Sequence, residues 1–144
     1  MQTEDSAAQE RFQHWLAHMD AYLDELMLSV PPDIAARLDY TGESLDTIEA
    51  RILDRFPSIE HAKAQEAAAE VNLYAIYVGE VFRKALGGRW MLPTDDPKYA
   101  YYRLPVLDYE HRSTICPITL VTASTSRRTG EFIGRVFHNA VARP

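Results

Sequence analysis

Apolar positions in the first part of the chain recur every three to four residues, which is the period of an amphipathic helix. They predict a first helix over residues 5–28, ended by Pro31 and Pro32. Its apolar stripe consists of Phe12, Trp15, Leu16, Met19, Tyr22, Leu23, Leu26 and Met27. The width of this stripe indicates that the helix packs on a core along one side.

Two further helices are predicted by the same period together with capping residues. Ser44 is placed to cap a helix over residues 45–56, which Pro57 ends. Ser58 is placed to cap a third and longer helix that reaches Leu86. The N-terminal part of the chain is therefore predicted to be helical.

The second half of the third helix is apolar on all sides. Within "VNLYAIYV" Asn72 is the only polar residue, so residues 71–82 are predicted to lie at the centre of the core. Gly79 lies inside this segment, and a glycine there costs about 1 kcal/mol relative to alanine. Its presence predicts the close approach of a neighbouring backbone.

After Gly87 the pattern changes to short segments rich in aromatic and β-branched residues. The segments "RWML", "YAYYRLPVLDY" and "STICPITLVTA" predict three or more short strands in an antiparallel meander. Around Pro117 the alternative is a short helix with the proline in its first turn. Residues 131–142 return to the helical period and predict a last helix.

These elements predict one α+β domain over residues 1–144. Three to four helices pack on one face of a small antiparallel sheet, with the third helix central and the last one C-terminal. A chain of 144 residues with 47% hydrophobic and 25% charged residues fits a single globular domain. At this size the core is large enough to fold without a metal or a disulfide.

The formal net charge of −6 argues against nucleic acid as a partner, because phosphate binding calls for a basic surface. A basic protein partner suits this charge better, although ordinary solubility explains it equally well. No apolar run approaches the ~20 residues of a membrane span. The single cysteine, Cys116, favours a reducing, cytoplasmic location, and the acidic N-terminus is unlike a signal peptide.

The stretch "YVGEVFRKALGGRW" raises the question of whether Glu80 serves chemistry or structure. Its spacing from Lys84 predicts an ion pair on the helix, or else a buried hydrogen bond to the sheet. If Glu80 is desolvated its pKa rises, so an acid in a small hydrolase or ligand-binding enzyme is the alternative. Gly87 and Gly88 follow the C-terminal end of the helix, which is the wrong dipole end for phosphate, and Trp90 is predicted to close over it. Structural roles are therefore assigned to Gly79, Glu80, Gly87, Gly88 and Trp90.

Other reactive side chains give weaker signals. His14 and His18 are spaced to share a helical face, as zinc ligands do, but the glutamate of the metalloprotease motif is missing between them. Cys116 with His111 or His138 would make a minimal nucleophile pair, yet its apolar neighbours predict an inert buried thiol. The sequence therefore predicts no catalytic residue, no metal and no cofactor.

Tyrosines are concentrated in one region of the predicted sheet. In a strand, Tyr99 and Tyr101 would share one face while Tyr102 points to the other. Together with the carboxylates of Asp95, Asp96 and Asp108, the first two tyrosines are predicted to form a recognition surface, since tyrosine is enriched at interfaces. The alternative is that one face of the sheet packs on the helices and the other is merely covered.

The segments "LDYTGESLDTIEARI" and "YAIYVGEVFRKALGGRW" together resemble a family of small uncharacterised bacterial proteins. The shared pattern is an LDY-type turn, an SLD-type helix start, a helix ending in YxGE, and a GGxW junction, over about residues 38–122. Several such domains resemble immunity-like or accessory proteins. The resemblance implies a binding role and no catalytic residues.

The leading prediction is a non-enzymatic bacterial protein-interaction module, immunity-like or regulatory, that binds a protein partner through the acidic, tyrosine-rich surface. The alternative is a small hydrolase or ligand-binding enzyme with Glu80 in a pocket between helix and sheet. A third interpretation is a homodimer in which the first helix pairs with its copy.

Overall fold

Eight α-helices and one short β-ribbon make up the part of the chain that the computed structural model describes, residues 2–143. The helices are α1 (Gln2–Ala17), α2 (Met19–Ser29), α3 (Pro32–Ala35), α4 (Gly42–Arg55), α5 (Ile59–Lys63), α6 (Ala68–Leu86), α7 (Pro117–Arg127) and α8 (Phe132–Ala142). The strands are β1 (Arg89–Met91) and β2 (Val106–Asp108). The architecture is thus mostly helical with a small antiparallel sheet, and the prediction of only three to four helices was wrong.

Helix α6 lies at the centre of the core, as its apolar composition predicts. Every residue of 71–82 is buried except Asn72, which is half-buried. Helices α2, α4, α7 and α8 all pack on it. Gly79 permits this crowding, but the neighbours are the side chains of Trp90 and Pro117 and not the predicted backbone.

Helix α4 begins three residues earlier than predicted, because Thr41 and not Ser44 is its N-cap. The Thr41 hydroxyl accepts the N–H of Ser44 at 3.3 Å. Ser44 is instead buried in the first turn, where its hydroxyl donates to the Thr41 carbonyl and accepts the Tyr77 hydroxyl at 2.7 Å. This hydrogen bond joins α4 to α6.

Two of the predicted long helices are interrupted at residues that give no signal in the sequence. The first helix breaks at His18, which has φ −103° and ψ 10°, and so divides into α1 and α2. The third breaks at Ala64, whose ψ of 146° is extended, so Ser58 caps only the short helix α5. A 3₁₀ turn, Gln65–Ala67, leads from there into α6.

The sheet contains fewer strands than predicted. Strands β1 and β2 are antiparallel, with Trp90 opposite Leu107, and a single bridge joins Leu107 to Ile115. Residues 99–104 form turns, and Pro117 opens helix α7, which confirms the helical alternative for that segment. The last helix, α8, matches the predicted 131–142 to within one residue.

A second, smaller apolar cluster lies apart from the main core and holds α1. We call it the arm cluster: it consists of Ala8, Phe12 and Leu92, all buried, with Trp15, Leu16 and Trp90 packed beside them. The Trp15 and Trp90 rings meet edge to face with their centroids 5.0 Å apart. Among residues 2–143, none of the helices combines the length and the apolar character needed to cross a membrane.

Candidate functional site

The connection between β1 and β2 is a compact loop, which we call the tyrosine loop (residues 93–104). Its ends meet, because the Arg103 N–H donates to the Pro93 carbonyl at 2.8 Å. Inside it, backbone N–H groups of Tyr99 and Tyr102 donate to carbonyls three residues earlier, each at 3.0 Å. A loop of this length with joined ends and internal turns is an Ω-loop, a form that is frequently functional.

Helix α1 holds the tyrosine loop through one carboxylate. Asp5 Oδ1 accepts hydrogen bonds from the Tyr102 hydroxyl at 2.7 Å and from the Arg103 guanidinium at 2.7 and 3.0 Å. These hydrogen bonds, from Tyr102 first and then Arg103, lower the pKa of Asp5. Gln9 adds a second attachment by donating to the Leu92 carbonyl at 2.9 Å. The loop is therefore fixed by hydrogen bonds to a helix about ninety positions away.

Tyr99 and Tyr101 lie together in this loop. Their rings pack edge to face with centroids 5.5 Å apart, and Tyr99 is 42% exposed. The predicted strand with Tyr102 on its opposite face was wrong, because the chain turns repeatedly between Asp96 and Leu104. The two tyrosines nevertheless form an adjacent pair, brought together by turns.

The predicted acidic residues divide into two groups. Asp95 and Asp96 are exposed in the tyrosine loop, and Asp96 stabilises it by accepting the Lys98 N–H at 2.9 Å. Asp108 lies at the other end of the β-ribbon, opposite Arg89, with a side-chain separation of 3.9 Å. The structure therefore places Asp95 and Asp96 beside the tyrosines and places Asp108 elsewhere.

A shallow hollow of about 750 Å³ lies between the tyrosine loop and α1. It is lined by Asp5, Ser6, Gln9, Glu10, Gln13, Thr94 and Asp95. Its wall contains three carboxylates and no basic side chain. This surface attracts positively charged groups.

Glu80 has a structural environment at the junction of α6 and β1. Its carboxylate accepts two hydrogen bonds from Arg83, at 2.7 and 2.8 Å, and a third from the Trp90 indole N–H at 2.9 Å. Burial disfavours the charged form, but the hydrogen bonds from Arg83 and Trp90 outweigh it, so the pKa of Glu80 is lowered. The pKa is not raised and Lys84 is not the ion-pair partner, so both predictions were wrong. The predicted hydrogen bond to the sheet is present through Trp90.

A hollow of about 440 Å³ does adjoin Glu80, between α6 and the end of α1. It is lined by Leu16, Ala17, Met19, Asp20, Glu80, Arg83, Gly88, Arg89 and Trp90. No histidine lies in this wall. Both Glu80 oxygens already accept hydrogen bonds, and a lowered pKa keeps the group ionised, so it is poorly suited to donate a proton.

The residues after α6 that were assigned structural roles, Gly87, Gly88 and Trp90, end the helix and pack beside it. Gly87 has φ 80° at the helix end and its N–H donates to the Arg83 carbonyl at 2.8 Å. Gly88 also has a positive φ, and a side chain there would meet the Tyr109 ring. Both conformations favour glycine. Trp90 covers Gly79 on the side of α6.

The remaining reactive residues do not assemble into a site. His14 and His18 are exposed, and the His18 ring is engaged with the His14 carbonyl, its Nδ1 lying 2.7 Å from that oxygen. Nowhere in residues 2–143 do three or more His, Cys, Asp or Glu side chains group as metal ligands. Cys116 is buried, and burial raises the pKa of its thiol. Its sulfur lies 3.8 Å from the Pro105 carbonyl, and neither His111 nor His138 bonds to it in the described part of the chain.

Sequence reasoning missed the residues that fix the tyrosine loop. Asp5 was assigned no role in the loop, and Tyr102 and Arg103 were not recognised as its partners. They lie 97 and 98 positions from Asp5, so no local spacing relates them. The only signal for an irregular segment was the turn-forming "PTDDPK" before the tyrosines.

Comparisons with known protein families, with curated proteins and with solved structures each found no match.

Proposed function

We propose that this protein is a non-enzymatic interaction module that binds a basic protein partner through its tyrosine loop. The observation that carries the proposal is the Tyr99–Tyr101 pair, with Tyr99 exposed and Tyr101 half-buried, on a loop that Asp5 holds in place. The proposed binding residues are Tyr99, Tyr101, Asp95 and Asp96, which lie together in that loop.

The proposal is supported by the way the tyrosine pair is presented. Tyrosine offers a large amphipathic contact area with few rotatable bonds, so ordering it on binding costs little entropy. The loop that carries Tyr99 and Tyr101 is already ordered by its internal turns and by the Asp5 hydrogen bonds. Preorganisation of this kind increases affinity because less freedom is lost on binding.

The charge of the surface indicates the chemistry of the partner. Asp95, Asp96 and Glu10 are exposed around the loop and the adjoining hollow. Only Lys98 and the already paired Arg103 oppose them within the loop. With a net charge of −6 for the whole chain, a Lys- and Arg-rich partner would be attracted over a long range.

The biological setting of the proposal is a bacterial cytoplasm, with an immunity-like or regulatory role. The setting rests on the single cysteine and on the resemblance of "LDYTGESLDTIEARI" and "YAIYVGEVFRKALGGRW" to small bacterial proteins. The environment of Glu80 favours this role over a hydrolase, because its three hydrogen bonds leave the carboxylate engaged in structure.

The test is site-specific photo-crosslinking in the source cell. A photoreactive phenylalanine analogue replaces Tyr99, or Leu28 as a control, which is 88% exposed on α2. We expect the probe at position 99 to give a discrete protein adduct that the control lacks, and we expect Asp95→Asn with Asp96→Asn to weaken the adduct. The same adducts from both positions, or none at position 99, would contradict the proposal.

Once that partner is purified, the contribution of the tyrosine pair is measured directly. Tyr99→Ala with Tyr101→Ala should weaken binding by about 2 kcal/mol or more, which is typical of aromatic hot spots. Leu28→Ala should leave the affinity unchanged. Isothermal titration at two salt concentrations also tests the charge argument, because the affinity of a basic partner should fall as salt rises.

A further inference from the structure

Helix α1 docks on the rest of the protein almost independently of the main core. Of its described side chains, residues 3–17, none belongs to the main core cluster. Its apolar attachment is the arm cluster, to which Ala8 and Phe12 contribute buried side chains. An open surface groove of about 210 Å³ borders this contact.

The other attachments of α1 are individual hydrogen bonds. Asp5 bonds to Tyr102 and Arg103, and the Trp15 indole N–H donates to Asn72 Oδ1 at 2.7 Å. Each partner lies far away in the chain. A second copy of the protein would offer the same partners in the same geometry.

The junction between α1 and α2 is a break in an otherwise continuous run of helix. His18 alone lies outside the helices, with φ −103° and ψ 10° in place of the roughly −63° and −42° of an α-helix. On either side the helical pattern is intact, since the N–H groups of His18 and Tyr22 donate to His14 and His18 at 3.1 and 3.0 Å. One residue thus separates the two helices.

The side chain of His18 stabilises the kinked form. Its Nδ1–H donates to the His14 carbonyl at 2.7 Å, at the last turn of α1. The same carbonyl accepts the His18 N–H at 3.1 Å, so the imidazole adds a second donor at this helix end. No glycine or proline enforces the kink, because the sequence here is "LAHMDA".

We propose that α1 is an exchangeable arm and that the protein forms a domain-swapped homodimer. Straightening at His18 joins α1 and α2 into one helix and carries α1 away from its own body. It then docks on the Leu92, Trp90 and Asn72 side chains of a second copy. Every contact of α1 is recovered between the two chains, and the break at each junction is replaced by continuous helix.

The balance between the two forms depends on protein concentration. Because the contacts of α1 are the same in both, the dimer is opposed chiefly by the loss of translational freedom and favoured by the helical junction. The monomer prevails in dilute solution, and the dimer accumulates as concentration rises. Release of the arm cluster controls how fast the two forms exchange.

Two substitutions at the junction differ only in their helix preference. His18→Ala and His18→Gly both remove the imidazole hydrogen bond, but alanine favours a continuous helix by about five-fold over glycine. A swapped dimer contains two such junctions, so its association constant should be about twenty-five-fold higher for His18→Ala than for His18→Gly. Light scattering after size-exclusion chromatography measures this, and circular dichroism verifies that each variant is folded.

A crosslinking experiment tests whether the arm is exchanged. Gln9 donates to Thr94 Oγ1 at 3.2 Å, so these positions mark the docked arm. A chain with Gln9→Cys is mixed with a differently tagged chain with Thr94→Cys, and a short bis-maleimide is added. The unsubstituted chain is the matched control, because its single cysteine, Cys116, is buried away from the reagent.

The outcomes separate a swapped dimer from any other dimer. A crosslinked heterodimer of the two tagged chains, more abundant in the His18→Ala background than in His18→Gly, supports the proposal. A dimer by light scattering without that crosslink overturns it, as does a His18→Ala variant that stays monomeric at millimolar concentration. Neither result depends on the partner that binds the tyrosine loop.

Discussion

Glu49 and Ile133, 84 positions apart in the chain, are joined by a hydrogen bond of 2.7 Å from the Ile133 N–H to Glu49 Oε1. The other carboxylate oxygen accepts the Phe132 N–H at 3.1 Å. Glu49 is fully buried on α4, and α8 has no side-chain cap of its own. A carboxylate from one helix therefore satisfies the first amides of another, where the helix dipole also favours negative charge.

Removing this cap should be strongly destabilising. Glu49→Ala leaves two amides without an acceptor and creates a cavity, so we expect a loss of about 3 kcal/mol in the free energy of unfolding. Glu49→Gln keeps the shape and one acceptor and should lose about half as much. Urea denaturation measures both. Asp54→Ala, an exposed change on the same helix, should stay within about 0.5 kcal/mol, and an equal loss there would contradict the assignment.

The contact between Gly79 and Trp90 predicts a steric effect. In Gly79→Ala the new methyl group would collide with the Trp90 ring and lie 3.0 Å from Pro117 Cγ. We expect the free energy of unfolding to fall by about 1–3 kcal/mol, because overpacking outweighs the gain in helix propensity. In a Trp90→Leu background the smaller side chain makes room, so Gly79→Ala should lower the free energy of unfolding by clearly less. Equal losses in the two backgrounds would show that the ring is not the obstacle.

The hydrogen bonds of Glu80 predict a pH dependence of stability. Burial opposes its ionisation, but Arg83 and Trp90 lower its pKa below the ordinary 4.5, so the native state favours the charged form. The ionised Glu80 therefore adds to the free energy of unfolding above pH 4.5, and this contribution is lost as pH falls through the native pKa. The advantage of the unsubstituted chain over Glu80→Gln should therefore shrink between about pH 5 and pH 3 in urea titrations. In an Arg83→Met background the change with pH should be smaller, and a difference constant with pH would refute the account.

The hydrogen bonds of Asp5 predict how the tyrosine loop becomes mobile. Asp5→Asn weakens the acceptor for Arg103 and Tyr102, so the Arg103 amide, which bonds to Pro93, should exchange about tenfold faster with deuterium. Glu10→Gln, an exposed change on the same helix, should leave that exchange unaltered. Faster exchange throughout α6 would instead indicate a loss of global stability.

The environment of Cys116 predicts low reactivity in the native state. The thiol is buried and its pKa is raised by burial, so little thiolate is available to attack. Reaction with a disulfide reagent should be slow without denaturant and should accelerate in step with unfolding as urea is added. Rapid stoichiometric labelling of the native protein would contradict the buried position.

The sequence predicted elements whose signals are local. The apolar run of 71–82 fills the core, the period of 131–142 gives α8, and Gly87 ends α6 with a positive φ. In each case the helical pattern or the glycine conformation is decided by neighbours in the chain. The buried state of Cys116 followed in the same way from Ile115 and Pro117.

The features that the sequence did not predict depend on distant contacts. The break at His18 accompanies the packing of Phe12 against Leu92 in the arm cluster, and neither residue marks it locally. The segment from Tyr99 to Leu104 has strand-forming residues but adopts turns, because Asp5 holds Tyr102 and Arg103. Tertiary contacts override β-propensity here.

The edge-to-face pair of Trp15 and Trp90 gives the protein an intrinsic optical probe. The chain contains only two tryptophans, and both lie where α1 meets the β-ribbon. Its ultraviolet emission therefore reports on that one junction and not on the interior around α6. Undocking of α1 would change the spectrum while the far-ultraviolet ellipticity of the remaining helices persists, so the two signals would distinguish a local opening from global denaturation without any added label.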